Sequence, residues 1–233
     1  MPRRLLGLLL VLPALTVILF LFVLPLALSV VGAFETEAGY GLENFTKSFA
    51  LYSSDILFTV VIVSLSTCLI GLFSIAIGGY LTLGENPRAV AILRWLYRWP
   101  LFIPFIVVGQ VLRTFLAKNG LMNNILVGAG LITPLQAVSF LDWRGIVIAF
   151  VWKQTPFVTL LLAGAMASVD RGTIEAARNL GASRLRILIE ILVPQVATTL
   201  MVGLVLSFVT MMSVLSVPLM INAQSPTMLT ADI

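Results

Sequence analysis

Few side chains in this sequence can do chemistry, and most of those that can are gathered in one place. The chain has no histidine, which removes the commonest general base, proton shuttle and metal ligand together. Its single cysteine, Cys68, lies in an apolar run, so neither a disulfide framework nor a thiolate metal site is available. Among the methionines, Met201, Met211, Met212 and Met220 read as apolar fillers rather than metal ligands. No glycine-rich phosphate-binding loop ending in Lys-Ser or Lys-Thr is present, so any ATP involved is hydrolysed on another polypeptide. No carboxylate pair or nucleophile–base set falls in the apolar segments, which argues against a hydrolase working inside a membrane. The basic residues are dispersed, against nucleic-acid binding. Two features remain. One is Lys153 beside Gln154 and Thr155 in an otherwise apolar run. The other is a polar stretch from Asp170 to Pro194 that carries seven charged residues: Asp170, Arg171, Glu175, Arg178, Arg184, Arg186 and Glu190.

The elements that position these residues are membrane helices. Sixty per cent of the 233 residues are hydrophobic and 10% are charged, where a soluble domain carries about 25% charge. The mean hydropathy is +1.09. This is the composition of an all-α integral membrane protein, and no long polar stretch could form a second core, so a single domain over 1–233 is expected. A spanning helix needs about 20 mainly apolar residues. Leu5 to Phe34 is uncharged after Arg3 and Arg4, and too long for a signal-peptide core of about 7–15 residues. The spacing predicts five spans, at about 7–33, 56–83, 95–116, 144–168 and 195–217. Trp95, Tyr97 and Trp99 form an interfacial belt at the start of the third. Segment 119–141 is also uncharged, but Asn119-Gly120, Asn123-Asn124, Gly128, Gly130 and Thr133-Pro134 are turn signals, so it reads as a loop with a short surface helix. The region from Pro218 onward reads as a loop as well.

Cations then set the orientation. Arg3 and Arg4, then Arg88, Arg94 and Arg98, then Arg171, Arg178, Arg184 and Arg186 fall on one side of five alternating spans. The opposite loop, 34–55, carries Glu35, Glu37, Glu43 and Asp55 against Lys47, and the segment near 113–144, on the same side, is a mild exception with three cations. By the positive-inside rule the N-terminus and the 169–194 loop are cytoplasmic. In that loop Asp170 can cap a first short helix, Gly181 can end it in the left-handed conformation, and Ser183 can cap a second helix to about Leu192. Pro194 suits the first turn of span five. Two readings of the loop stand side by side: a docking element for a cytoplasmic partner, or two helices resting on lipid headgroups with their arginines facing phosphate. Lys153 also has two readings. It lines a pathway or pairs with a partner, as intramembrane charges usually do, or it snorkels or serves structure alone.

At these residues the sequence resembles a family. Glu175-Ala176-Ala177, three residues, Gly181, nine residues, Ile191, one residue and Val193-Pro194 is similar to the signature loop of permease subunits of binding-protein-dependent ABC importers, where Leu usually stands at the place of Val193. Leu12-Pro13-Ala14, Gly41-Leu42-Glu43-Asn44, Trp152 with Thr155-Pro156-Phe157, and Ser207-Phe208 with Pro218 carry the resemblance along the rest of the chain. It implies the type I importer permease fold. In the family the signature loop inserts into a groove of the ATP-binding subunit. That role falls here on Glu175, Ala176, Ala177, Gly181, Ile191 and Pro194, with Lys153, Gln154 and Thr155 as candidates for the translocation path. It further implies two ATP-binding subunits, a second permease subunit, identical or homologous, and an extracytoplasmic solute-binding protein, in a bacterial inner membrane and without a cofactor. The overall pattern is closest to spermidine/putrescine-type permeases, though iron, thiamine, phosphonate and sulfate systems share the loop. Permeases with this N-terminal layout usually have a sixth span, so five spans is an expected departure. The alternative reading is a non-transporting scaffold or sensor subunit whose loop recruits a cytoplasmic partner. An ATP-independent transporter would need intramembrane coupling carboxylates, and none is expected in the spans.

Overall fold

The computed structural model describes residues 3–36, 39–222, 224 and 226–232. They fall into two compact units, residues 1–53 and 54–233. The first unit begins with α1 (Arg3–Ile18), a π-turn (Leu19–Val23) and α2 (Leu24–Phe34). Over Leu10–Phe34 none of the apolar window is buried within the chain. A two-residue antiparallel pair follows, β1 (Glu35–Thr36) with β2 (Gly39–Tyr40). Asn44 then closes the end of α2, its side-chain amide donating to Ala33 O at 3.3 Å and Glu35 O at 2.7 Å, while Phe45 stacks on Phe34 with centroids 5.0 Å apart. These bonds satisfy carbonyls that a helix end leaves without partners.

From there α3 runs without interruption over Glu43–Leu83, 41 residues, so the second helix starts well before the expected residue 56. The second unit is built around α7 (Trp143–Ala167), the helix with the largest buried share, 56% of its apolar window. Phe150, Val158, Leu162 and Met166 of α7 meet Ile70 of α3 and Leu200 and Met211 of α10 (Val193–Ser213) in one core. A helix apolar on all sides is one that other helices surround. Among the described residues four helices are long and apolar enough to cross a membrane, Leu10–Phe34, Glu43–Leu83, Trp143–Ala167 and Arg184–Ser213, and a bent pair makes a fifth if it is one span.

The third expected span, 95–116, is not one helix. α4 (Pro87–Leu96) and a 3-10 turn (Trp99–Phe102) are followed by a break and then α5 (Phe105–Leu116), and the two arms, Pro87–Phe102 and Phe105–Gly128, are bent by 107°. The cause is Pro104. Its ring forces Ile103 into extended geometry (φ −94, ψ 122). The long connection holds α6 (Leu121–Gly128) and a 3-10 turn at Pro134–Gln136; Asn123-Asn124, expected as a turn, lies inside α6, where the buried Asn123 amide donates to the carbonyls of Ala117, Lys118 and Val138. Beyond α10, where a loop was expected, Ser216–Ile221 forms α11 and packs on α5 and α7. Here packing overrides Pro218, which sits early enough in a six-residue helix to cost little. The chain then folds back onto α3 before α12 (Leu229–Asp232): Thr227 N–H donates to Asp55 Oδ1 and Leu229 N–H to Thr59 Oγ1, both at 2.8 Å.

Candidate functional site

The 170–194 loop begins where Asp170 caps α8 (Arg171–Asn179), its carboxylate accepting from Gly172 N–H at 3.1 Å. Gly181 ends the helix with φ +81. Gly181 N–H donates to Arg178 O at 2.9 Å and Ala182 N–H to Ala177 O at 3.0 Å. This paired 5→2 and 6→1 pattern is a Schellman motif, and a left-handed residue is what it requires. Ala177 and Ala182 both turn inward against the core, the apolar contact that accompanies the motif. Ser183 then caps α9 (Arg184–Ile187), accepting from Arg186 N–H at 3.3 Å.

The second loop helix does not stop near Leu192. It passes through a π-turn, Leu188–Leu192, straight into α10. Among the described residues both π-turns end two residues before a proline, Val23 before Pro25 and Leu192 before Pro194. A proline ring clashes with the carbonyl four residues back and offers no N–H. The wider turn shifts the bonding to i−5, seen in Leu24 N–H to Leu19 O and Val193 N–H to Leu188 O, and lets the helix continue. Pro194 is therefore a register change inside one long helix rather than the boundary of a new one.

Three contacts tie the loop to the end of α3. Arg178 donates to Leu83 O at 3.4 Å, Arg184 pairs with Glu85, and Leu188 lies over Gly79 so closely that a Cβ there would stand 2.7 Å from its methyls. Ile174, Ile187 and Leu192 are buried beneath. The six candidate coupling residues divide by exposure. Glu175, Ala176, Gly181 and Pro194 are exposed, beside Leu180 at 89%, while Ala177 and Ile191 are half-buried and pack inward. Sequence reasoning missed Glu85, which belongs to no motif; Gly79, with Gly71 and Gly78, reads in the sequence as a small residue that favours close helix packing, and Leu188 is what packs there.

Lys153, Gln154 and Thr155 are all buried. Lys153 Nζ donates to Pro100 O at 2.8 Å and Leu101 O at 3.0 Å, and lies 5.5 Å from the Phe105 ring centroid. It caps the carbonyl end of the 3-10 turn at the break before Pro104, where cations are favoured. Thr155 Oγ1 donates to Val151 O of its own helix, and its carbonyl accepts from Ser74 of α3 at 3.4 Å. Thr159 Oγ1 donates to the same Ser74 at 3.2 Å. At the other end of α7, Asp142 caps the helix through Arg144 N–H at 2.8 Å. The Arg144 guanidinium, bonded to both carboxylate oxygens, holds Asp142 below the usual carboxylate range.

A bundle around one central helix, a proline-broken third element and a glycine-locked polar loop bolted to the neighbouring helix define a type I importer permease. The chain belongs to the family described as "Binding-protein-dependent transport system inner membrane component", which residues 70–232 match. It is 31% identical over 247 residues to the trehalose/maltose transport system permease protein MalF of Thermococcus litoralis, covering 95% of this chain and 78% of that protein. It is 29% identical over 175 residues to the spermidine/putrescine transport system permease protein PotB of Escherichia coli, covering 72% of this chain and 60% of that one. Among solved structures, a chain of a bacterial alginate ABC transporter in complex with its pentasaccharide-bound periplasmic protein superposes with a TM-score of 0.80 at 22% identity, covering 99% of this chain and 81% of that one; at that identity the likeness speaks to the fold. The protein is thus an inner-membrane permease component of a binding-protein-dependent ABC importer.

Proposed function

We propose that this chain converts the motion of two cytoplasmic ATP-binding subunits into alternating access of a solute path shared with a second permease subunit and supplied by an extracytoplasmic binding protein. The observation that carries the reading is the loop: a Schellman turn fixes Gly181, exposing Glu175, Ala176 and Leu180 on one side while Arg178, Arg184 and Leu188 fasten the other to α3. A push on the exposed face is then delivered to α3 and, through α9, to α10. The chain acts as one membrane domain whose third crossing, near 95–116, is broken at Pro104 and whose second helix begins at Glu43, the other spans lying near 7–33, 144–168 and 195–217 and the N-terminus and coupling loop, 169–194, in the cytoplasm. Lys153, with Gln154 and Thr155 beside it, shapes the path by holding the broken third element against α7. The relatives' names differ in cargo, trehalose/maltose for MalF, spermidine/putrescine for PotB and molybdenum for ModB, and the polyamine class is the one whose overall pattern the sequence follows. ATP binding drives the cycle by shifting populations of two states.

The test is affinity capture of the full chain from its native membrane, followed by reconstitution with what it brings. An ATPase subunit should co-purify, and its turnover should rise when the loaded solute-binding protein is added. Capture without any ATPase would overturn the reading in favour of a scaffold subunit.

A further inference from the structure

We infer that an anionic phospholipid binds this chain at a two-part site between α3, α4, α7 and α8. One part is a cleft of about 610 Å³ whose wall includes Arg94, Arg98, Arg171 and Arg178 against one carboxylate, Glu175. Among the described residues none of these four arginines forms a salt bridge. Four guanidiniums around one open space repel one another, and the space is left with a net positive field. The arginine fork fits the paired oxygens of a phosphate. The second part is an apolar groove of about 480 Å³ formed by the same α3, α4 and α7, with Phe73, Leu93, Leu96 and Trp152 in its wall. Tyr97 borders both spaces. It is itself 7% exposed, and its hydroxyl accepts from Arg98 Nε at 3.3 Å.

The juxtaposition names the occupant. Basic groups lie at the level where α3 and α7 end, and apolar groups lie along their middles. A free anion would use only the first space, and an acyl chain only the second. A molecule with a phosphate head and a hydrocarbon tail uses both. Basic pockets between membrane helices on the cytoplasmic side attract anionic headgroups in this way. The level of the headgroup rests on the proposed cytoplasmic placement of the 170–194 loop. A lipid here would lie between the coupling helix and the bundle, so its presence would stiffen the joint through which the loop acts.

The experiment uses the full chain purified in mild detergent and read by native mass spectrometry, with phosphatidylglycerol, phosphatidylethanolamine and inorganic phosphate as probes. Phosphatidylglycerol should be retained well above phosphatidylethanolamine, and inorganic phosphate should not displace it. The double variant Arg94→Gln/Arg98→Gln should weaken retention about thirty-fold, at about 1 kcal/mol per arginine near a membrane surface and 1.4 kcal/mol per decade. Leu96→Gln should weaken long-chain but not short-chain phosphatidylglycerol. Equal retention of the two lipids, displacement by inorganic phosphate, or undiminished retention by the double variant would each overturn the proposal. Lipid retention is read without ATP or solute, so its failure leaves the transport reading intact, and failure of transport leaves this one intact.

Discussion

The sharpest test of the coupling loop is the series Gly181→Asn, Gly181→Ala and Gly181→Val. The residue sits at φ +81, and a Cβ built there has nothing within 4 Å in this chain. Within the chain, then, a side chain at 181 acts through the backbone alone. A left-handed conformation costs an ordinary residue roughly 1–2 kcal/mol. At 1.4 kcal/mol per decade that is about a five- to thirty-fold fall in the equilibrium constant favouring the Schellman form for alanine. Asparagine tolerates the left-handed region and should lose least; a β-branched valine should lose most. If docking needs this turn, solute-stimulated ATP turnover in proteoliposomes containing the complete importer should fall in the order Asn, Ala, Val. The thermal midpoint of the bundle should move by only a few degrees, because the core contacts at stake are those of Ala177 and Ala182 beside the turn. The competing idea is that position 181 is small only because the ATPase surface lies against it. That idea predicts the order of size, with alanine best and asparagine poor. Alanine outperforming asparagine, or valine coupling like wild type, would refute the conformational argument.

Three further perturbations probe the rest of the frame. Lys153→Met removes the partner of Leu101 O, while Pro100 O keeps the Ile103 N–H at 3.3 Å. One buried acceptor left unsatisfied costs about 1–3 kcal/mol, so the thermal midpoint should drop by several degrees, about 2–4 °C per kcal/mol; an unchanged midpoint would sink the helix-pin role. Gly79→Ala forces Leu188 to move and should cost about 1–3 kcal/mol as overpacking does, with Leu188→Ala in the same chain restoring much of it; a double variant no better than the sum of the singles argues against the contact. For Asp142 the folded pKa lies below the unfolded value, about 3.9. Its stabilising contribution is therefore present above the unfolded value and lost as pH falls through the lowered folded one. Melting midpoints should be flat between about pH 5 and 8 and decline only in acid, and Asp142→Asn should remove part of that acid step; a decline already complete by pH 6 contradicts the assignment.

What the sequence made legible was whatever depends on local chemistry. Asp170, Gly181 and Ser183 cap and stop helices through their own backbone preferences, so the loop's ends could be placed without knowing what it packs on. Pro104 and Pro194 were equally visible, but their consequences were not. A proline can break a helix, as at 103–104, or be absorbed by a π-turn, as at 188–192, and the choice lies in the surroundings rather than in the ring. At Pro104 the carbonyls released by the break find Lys153, a residue 49 positions away. At Pro194 the core contacts of Ile187 and Leu192 hold the helix together across the irregularity. Glu85 was invisible for the same reason, since it matters only because Arg184 arrives opposite; Gly79 was legible as a close-packing position, but not that Leu188 is its partner. The extended start of α3 at Glu43 was masked by its charged first turns, which read as loop by hydropathy although helical by propensity.

The buried charges obey one physical rule. Among the described residues they are Asp55 and Lys153, and neither forms a salt bridge. Each is instead held by backbone at a place where helical bonding fails. Lys153 donates to the carbonyls ending the 3-10 turn before the break at Pro104. Asp55 accepts from the Thr227 amide in the irregular stretch before α12, with Thr59 taking the Leu229 amide one turn on. A helix end in an apolar surrounding leaves carbonyls bare at its C-terminus and amides bare at its N-terminus. The cation stands at the first kind of end and the carboxyl at the second. In hydrocarbon such groups must be answered inside the protein, and a single long side chain from a neighbouring continuous helix does so while fixing where the broken one lies. The intramembrane lysine, for which the sequence left a path-lining and a structural reading open, is on this account part of the scaffold: it holds the break between α4 and α5 against α7.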